Sequence, residues 1–284
     1  MKNNAIILLS CPDQKGIVAT VSNFLFKHNG NIVDSNQYTD KYDNMFFMRV
    51  EWELSQFKLS INETKTQFQK IADKFNMKWE LNLSKQKFKT AIFVSQWTHC
   101  LYEVLLKKEA NELPIDIDLI ISNHKSIKSI AQQFKIDFFY FPISSSTKEE
   151  IEKEEIQLLK KRRINLILLA RYMQIISENF ISLYPNKIIN IHHSFLPAFV
   201  GAKPYHQAYE RGVKIIGATS HYATSNLDQG PIIEQDIIRV SHKDDIASLQ
   251  NKGKFLEKKV FIRAIELHTE NRILIYKNKT IIFD

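Results

Sequence analysis

From residue 90 onward, short runs of almost unbroken branched and aromatic residues alternate with helical segments. The runs are TAIFVS (90–95), IDIDLIIS (115–122), DFFYFPI (137–143), NLILLA (165–170) and KIINIH (187–192). Between them lie CLYEVLLKKEAN, SIKSIAQQFK and the charged TKEEIEKEEIQLLKKRRI, with acid–base pairs four residues apart. A strand that is apolar on both faces must be covered on both faces. A mainly parallel sheet with crossover helices does this. The pattern predicts a Rossmann-like α/β unit over residues 85–284.

Residues 1–84 follow a different rhythm. AIILLS (5–10) reads as a strand. In IVATVSNFLFKHNG, residues Ile17, Val18, Val21, Phe24, Leu25 and Phe26 recur at helical spacing, with Gly30 in the place of a C-cap glycine. NIVDSNQYTD and DNMFFMRVEWEL read as strands joined by a polar turn at Asp40–Asp43. INETKTQFQKIADKFN puts Phe68, Ile71, Ala72 and Phe75 on one helical face, and MKWELNLS is a last strand. The order βαββαβ predicts a ferredoxin-like α+β unit, helices on one side of an antiparallel sheet, followed by the polar linker SKQKF.

Composition removes several classes of function. An apolar fraction of 44% and a charged fraction of 25% belong to a globular chain. No apolar run approaches the roughly 18–20 residues that span a bilayer, and the N-terminus lacks a secretory pattern. A cytoplasmic protein without membrane contact is expected. The two cysteines, Cys11 and Cys100, cannot make a disulfide framework and read as buried free thiols. The net charge of +8 is spread among interspersed acids, with no basic stripe carrying aromatics, so nucleic acid is not an expected partner.

The chemistry concentrates where KIINIH ends. Ligands of open α/β sheets sit beyond the carboxyl ends of the strands. Strand alternation puts Asn190 and His192 on one face and sends His193 away. A carboxamide and an imidazole side by side form a donor pair suited to an oxyanion. A proton-handling group is then required. The polar loop within GATSHYATSNLDQGPIIEQD offers Asp228, flanked by Asn226 and Gln229. Beside His192, its carboxylate would favour the imidazolium and could take a proton from water. On residue types alone a purely structural histidine stays open. A metal site would need His206 and His221 to fold inward, without an HExxH motif or matching carboxylate spacing. Pro197, Gly201 and Pro204 read as loop-shaping.

The stretch from Asn190 to Asp236, with LLARYMQIIS (168–177) and NKTIIFD near the end, resembles the formyltransferases that use 10-formyltetrahydrofolate. It is most similar to the formyltetrahydrofolate deformylases. The first unit, with its PDQKGIV loop, is similar to an ACT domain, so the resemblance covers essentially the whole chain. It implies an ACT domain over 1–84 and a formyltransferase-fold catalytic domain over 85–284. Asn190, His192 and Asp228 match the family's catalytic Asn, His and Asp. Water would attack the formyl carbon, His192 and Asn190 would hold the oxyanion, and Asp228 would orient and charge His192. The products would be formate, feeding purine synthesis, and tetrahydrofolate. The pterin is expected against the backbone of Met173, Gln174 and Ile176, with Ser225–Asp228 closing the other side and His221 nearby. The folate is substrate, and no cofactor or metal is implied.

The ACT resemblance implies an oligomer and an amino-acid effector, methionine or glycine, at Asp13, Gln14 and Gly16 before the first helix. A domain that merely dimerises is the other reading. Glycinamide ribonucleotide formyltransferases are similar too, but cradle a phosphate on a Gly-rich loop after the first strand. Here that loop is SQWTHC, where Trp97 and His99 would obstruct such an approach. Methionyl-tRNA formyltransferases spend extra length on a C-terminal domain, whereas this chain spends it in front. Formyl transfer to an amine, and a folate- or amino-acid-binding regulator, remain the alternatives. The family pattern is departed from at Gln229 and at Lys254–Phe255.

Overall fold

The computed structural model describes residues 3–144, 146–198 and 204–284. Gly201 lies outside them, as does the side chain of Pro204. The chain divides into one unit of Met1–Gln86 with Glu270–Asp284 and a second of Lys87–Thr269.

The first unit runs β1 (Asn4–Pro12), α1 (Ile17–Lys27), β2 (Asn31–Asp40), β3 (Met45–Glu53), α2 (Ile61–Phe75) and β4 (Lys78–Leu83). Its sheet has the order β2-β3-β1-β4, and the pairs within it are antiparallel. Ala5, Ile7, Leu9 and Cys11 of β1 and Phe46, Met48, Val50 and Trp52 of β3 face one core with Val21, Leu25 and Phe68 of the helices. A capping box starts α2: Ser60 Oγ accepts from Glu63 N, and Glu63 Oε2 accepts from Ser60 N at 2.8 Å. The expected turn forms after Asp40, whose Oδ1 accepts from the backbone of Tyr42 and Asp43.

Two local expectations need correction. Asn29, not Gly30, takes the left-handed position after α1, at φ 61°. Gly30 follows it and donates to Leu25 O at 2.8 Å, closing a Schellman motif. A Cβ on Gly30 would meet Leu25 O at 3.1 Å and the Phe57 ring at 3.2 Å, so the glycine answers to crowding. Val18 and Phe26 leave the apolar face of α1; Phe26 is 79% exposed.

The second unit runs β5 (Phe88–Val94), α3 (His99–Glu109), β6 (Ile115–Ser122), α4 (Lys128–Gln133), β7 (Asp137–Tyr140), α5 (Lys148–Arg162), β8 (Leu166–Leu169), α6 (Glu178–Leu183), β9 (Ile188–His192), α7 (Pro204–Glu210), β10 (Ile215–Tyr222), β11 (Ile232–Arg239) and α8 (Ile246–Thr269). The sheet order is β11-β10-β9-β8-β5-β6-β7. Strands β9-β8-β5-β6-β7 pair in parallel, while β10 and β11 run antiparallel. Leu166 to Leu169 are buried on both sides of the sheet, as an unbroken apolar run demands.

The last segment, expected in the α/β unit, belongs with the first. Strands β12 (Ile273–Tyr276) and β13 (Lys279–Ile282) form a hairpin. Its Leu274, Tyr276 and Ile281, with Phe283, cover Leu8 and Phe47 on the sheet face turned away from α1 and α2. Arg49, 4% exposed, anchors this arrangement: Nε donates to Asn271 O at 3.1 Å, and the guanidinium pairs with Glu51 at 2.7 Å and with Asp34. That second cover explains why AIILLS is apolar without alternation. No described helix is long and apolar enough to cross a membrane.

Phe47 is fully buried, with its ring 5.2 Å from that of Tyr276. Phe47→Ala is expected to cost about 3–5 kcal/mol in chemical denaturation. It should also speed amide exchange in residues 273–282, read by hydrogen-exchange mass spectrometry.

Candidate active site

The antiparallel register of β9 and β10 sets Asn190 opposite His221 and His192 opposite Thr219. A bulge between Ser220 and His221 in the β10–β11 ladder re-aims the chain at this point. His221 Nδ1 donates to its neighbour's carbonyl, Tyr222 O, at 3.0 Å. Its Nε2 is therefore unprotonated in the neutral ring and accepts from Asn190 Nδ2 at 3.1 Å. One N–H of the Asn190 amide is thus fixed on His221, and the other is left for the cleft.

Asp228 comes from the β10–β11 loop. Its Oδ1 lies 3.3 Å from His192 Nδ1 and 3.6 Å from His221 Nε2. The contact with His192 holds its carboxyl well below the usual range, against burial. Asp228 sits at φ 55°, a left-handed conformation costly for most residues and tolerated best by Asn and Asp. Gly230 closes the loop: a Cβ there would stand 1.8 Å from Tyr222 O. With Nδ1 facing a carboxylate, the other nitrogen of His192 is the reactive one. His192 Nε2 is buried and has no hydrogen-bond partner among the described residues.

These groups line one cleft. Asn190, His192, His221, Ser225 and Asp228 stand on one side, and Met173, Gln174 and Ile176 on the other. The structure thus brings together every residue expected at the folate site. His193 also lines the cleft, its ring 5.2 Å from that of His192. It does not simply turn away, because β9 ends at His192 and strand alternation ends with it. Burial, then the Arg171 guanidinium and the neighbouring His192 ring, bring His193 down to about 3, so it is neutral. Gln229 and Phe255 are not among the cleft's lining. Lys254 lies over the Trp97 ring at 5.5 Å.

The wall after β8 is held from below. Met173 N donates to Ser95 Oγ at 3.1 Å, and Ser177 N to Glu152 Oε1 at 2.9 Å. The Tyr172 hydroxyl reaches Glu155 Oε1 at 3.4 Å. Burial, then the charge of Glu152, push Glu155 up to about 8. At neutral pH Glu155 therefore holds a proton.

A second polar group lies apart from the Asn190–His192–Asp228 set. Glu257, 1% exposed on α8, accepts from Tyr205 Oη at 2.7 Å and binds His99 Nε2 at 2.8 Å. Arg171 Nε stands 3.3 Å from the same carboxylate. Burial raises Glu257, but the His99 bond and the Arg171 charge outweigh it and hold it below the ordinary value. Gly253 permits the approach, since a Cβ there would lie 1.9 Å from the Tyr205 hydroxyl. His99, Cys100 and Glu257 have ligand-type atoms within 4.8 Å of one another. That set is committed to protein partners, and a guanidinium beside Glu257 opposes a cation. Burial pushes the Cys100 thiol well up, so it is no nucleophile. Cys11 and Cys100 are both free and buried. Arg171, Tyr205 and Glu257 were not picked out from the sequence. The available signals were a charge directly after a buried strand and a carboxylate on the buried face of α8.

Known proteins match this chain over nearly its whole length. The family described as Formyl transferase matches residues 88–265, and the ACT domain family matches 5–73. The formyltetrahydrofolate deformylase of Synechocystis is 50% identical over 279 residues, covering 98% of both chains. The chain belongs to the formyltetrahydrofolate deformylase family. The Escherichia coli deformylase is 39% identical over 96% of this chain and 95% of its own. The crystal structure of the deformylase from Pseudomonas syringae pv. tomato superposes with a TM-score of 0.97 at 42% identity, over 100% of this chain and 95% of that one. Glycinamide ribonucleotide transformylase 1 of Symbiobacterium toebii covers 70% of this chain and 95% of its own, at 27% identity and a TM-score of 0.65. Deformylases match both units of this chain, with the ACT domain in front.

Glu155 supplies a pH test of the cleft wall. Its folded value of about 8 lies above the roughly 4.3 of an unfolded glutamate. Its contribution to stability is full below pH ~4.3 and is lost as pH rises through the folded value. Glu155→Gln cannot ionise. Its melting temperature should match the wild type near pH 5 and exceed it by roughly 3 °C or more at pH 9, read by calorimetry.

Proposed function

We propose that this deformylase-family chain hydrolyses 10-formyltetrahydrofolate to formate and tetrahydrofolate. The observation that carries the reading is the meeting of Asn190, His192 and Asp228 in one cleft. A water oxygen bonds to the formyl carbon, and the carbonyl electrons move onto oxygen. The free N–H of Asn190 and the Nε2 side of His192 are suited to that oxyanion. Asp228, held ionised beside His192, orients that ring through Nδ1 and receives a proton from the water. The C–N10 bond then breaks as His192 gives a proton from Nε2 to the nitrogen, Asp228 returns the water's proton to His192 through Nδ1, and formic acid leaves as formate. The pterin lies against the backbone of Met173, Gln174 and Ile176, with Ser225 and His221 across the cleft. No cofactor or metal takes part.

Deformylation would supply formate for purine synthesis and balance the one-carbon folate pools in the cytoplasm. The first unit would bind an amino-acid effector and join subunits in a homo-oligomer. Asp13, Gln14 and Gly16 are exposed before α1, whose N-terminus has no side-chain cap. A carboxylate there would meet free N–H groups. Transfer to an amine is less well supported. After β5, His99 is bonded to Glu257 and Trp97 lies under Lys254, so large side chains occupy the loop where a phosphate cradle would need open backbone.

Pure protein incubated with 10-formyltetrahydrofolate alone should release formate and tetrahydrofolate in equal amounts. Dependence on an added amine would overturn the reading. Asp228→Asn is expected to lower turnover by about 10²–10⁴-fold while the variant still folds, read by circular dichroism. Near-normal turnover in this variant would remove Asp228 from the mechanism.

A further inference from the structure

We propose that two buried acids of α5, Glu152 and Glu155, are positioning residues for the folate wall of the cleft, and that the wall is in place only while the pair carries a single negative charge. The ligand rests on the deformylase reading; the anchoring rests on the two carboxyl groups.

Residues 172–177 lie between β8 and α6 without helix or strand, so no regular backbone ladder holds them. Met173 and Ile175 are more than half exposed, so burial does little to fix the middle of the segment. Its two ends are tied instead to one helix. The Tyr172 hydroxyl donates to Glu155 Oε1 at 3.4 Å, and Ser177 N donates to Glu152 Oε1 at 2.9 Å. Between them Met173 N donates to Ser95 Oγ, which in turn donates to Asn123 Oδ1 at 2.8 Å. Glu152 and Glu155 stand one turn apart on the buried face of α5, at 7% and 2% exposure. A neutral amide would accept the same two hydrogen bonds without the cost of burying a charge.

Two carboxylates one turn apart in a closed core do not both ionise. Ser177 N, at the N-cap of α6, favours the charge on Glu152. Glu155 then keeps the proton, in line with its rise to about 8 through burial and the Glu152 charge. The groups around the pair do not relieve it. Tyr172 acts as a hydroxyl donor, and burial, then Glu155, push its own ionisation up. Tyr184 of α6 is likewise pushed up by burial, and Glu178, in the first turn of α6, is exposed. On α5, Lys148 is half-buried a turn before Glu152, while Lys153 and Glu154 are exposed. No cation among the described residues shifts Glu155. As pH rises through about 8 the second charge forms, the acids repel, and both ends of the wall lose their tethers. Folate binding is thus full below that value and weakens above it.

The test uses full-length protein and 10-formyltetrahydrofolate. Between about pH 7 and about pH 9.5 the wild-type KM should rise by roughly threefold or more, whereas in Glu155→Gln it should stay level. The kcat profiles of the two should run parallel. Glu152→Ala removes the acceptor for Ser177 N and should raise KM about tenfold at every pH. Glu152→Gln keeps the acceptor and should reverse that rise, which a general loss of structure would not allow. A wild-type KM that stays level, or one that rises equally in Glu155→Gln, would overturn the proposal and leave the deformylase reading standing. Absence of hydrolysis at any pH would instead reject that reading. The tether is then judged without substrate, by hydrogen exchange in residues 173–177. Exchange in the wild type should match Glu155→Gln near pH 7 and outrun it near pH 9.5. Equal exchange in the two proteins at both pH values would overturn the tether.

Discussion

One carboxylate oxygen, Oδ1 of Asp228, faces two imidazoles at once, 3.3 Å from His192 and 3.6 Å from His221. The rest of the cleft follows from that position. Facing the carboxylate with Nδ1 leaves His192 only Nε2 to present. His221 has its other nitrogen tied to a backbone carbonyl, so it can only accept from Asn190. The amide of Asn190 is then turned one way and not the other. A charged loop residue in an unfavourable backbone conformation is tolerable because its two partners are rigidly placed by adjacent strands. The order of the site is thus imported from the β9–β10 ladder.

A second carboxylate, Glu257, organises Arg171, His99 and Tyr205 in the same manner. The Glu257 cluster draws its members from distant parts of the chain, and both clusters depend on a glycine for close approach, Gly230 in one and Gly253 in the other. The charges are balanced locally in each, which a poorly solvated interior requires. Between them stand His192 and His193, adjacent in sequence and differing in environment.

Much of this was legible in the residues. Unbroken apolar runs announced the parallel sheet, because burial on both faces leaves no polar alternation. Strand alternation put Asn190 and His192 on one ligand, but misplaced His193 because alternation holds only while the strand lasts. Asp228 was visible as a carboxylate in a glycine-containing loop, and its match to a family pattern gave it a role. The Arg171–Glu257 pairing was not legible, since its meaning comes from tertiary closeness that local spacing does not encode. Gly30 was misread for a related reason: its place follows from the Phe57 ring, distant in sequence. By position along the chain the terminal segment falls to the α/β unit, whereas its apolar residues belong with Leu8 and Phe47.

That hairpin imposes an order on biosynthesis. Leu8 and Phe47 are translated early, and the residues that shield them lie beyond position 269. While the ribosome makes the intervening α/β unit, one side of the nascent four-stranded sheet stands bare. That face of the sheet closes only once the segment beyond position 269 has been made.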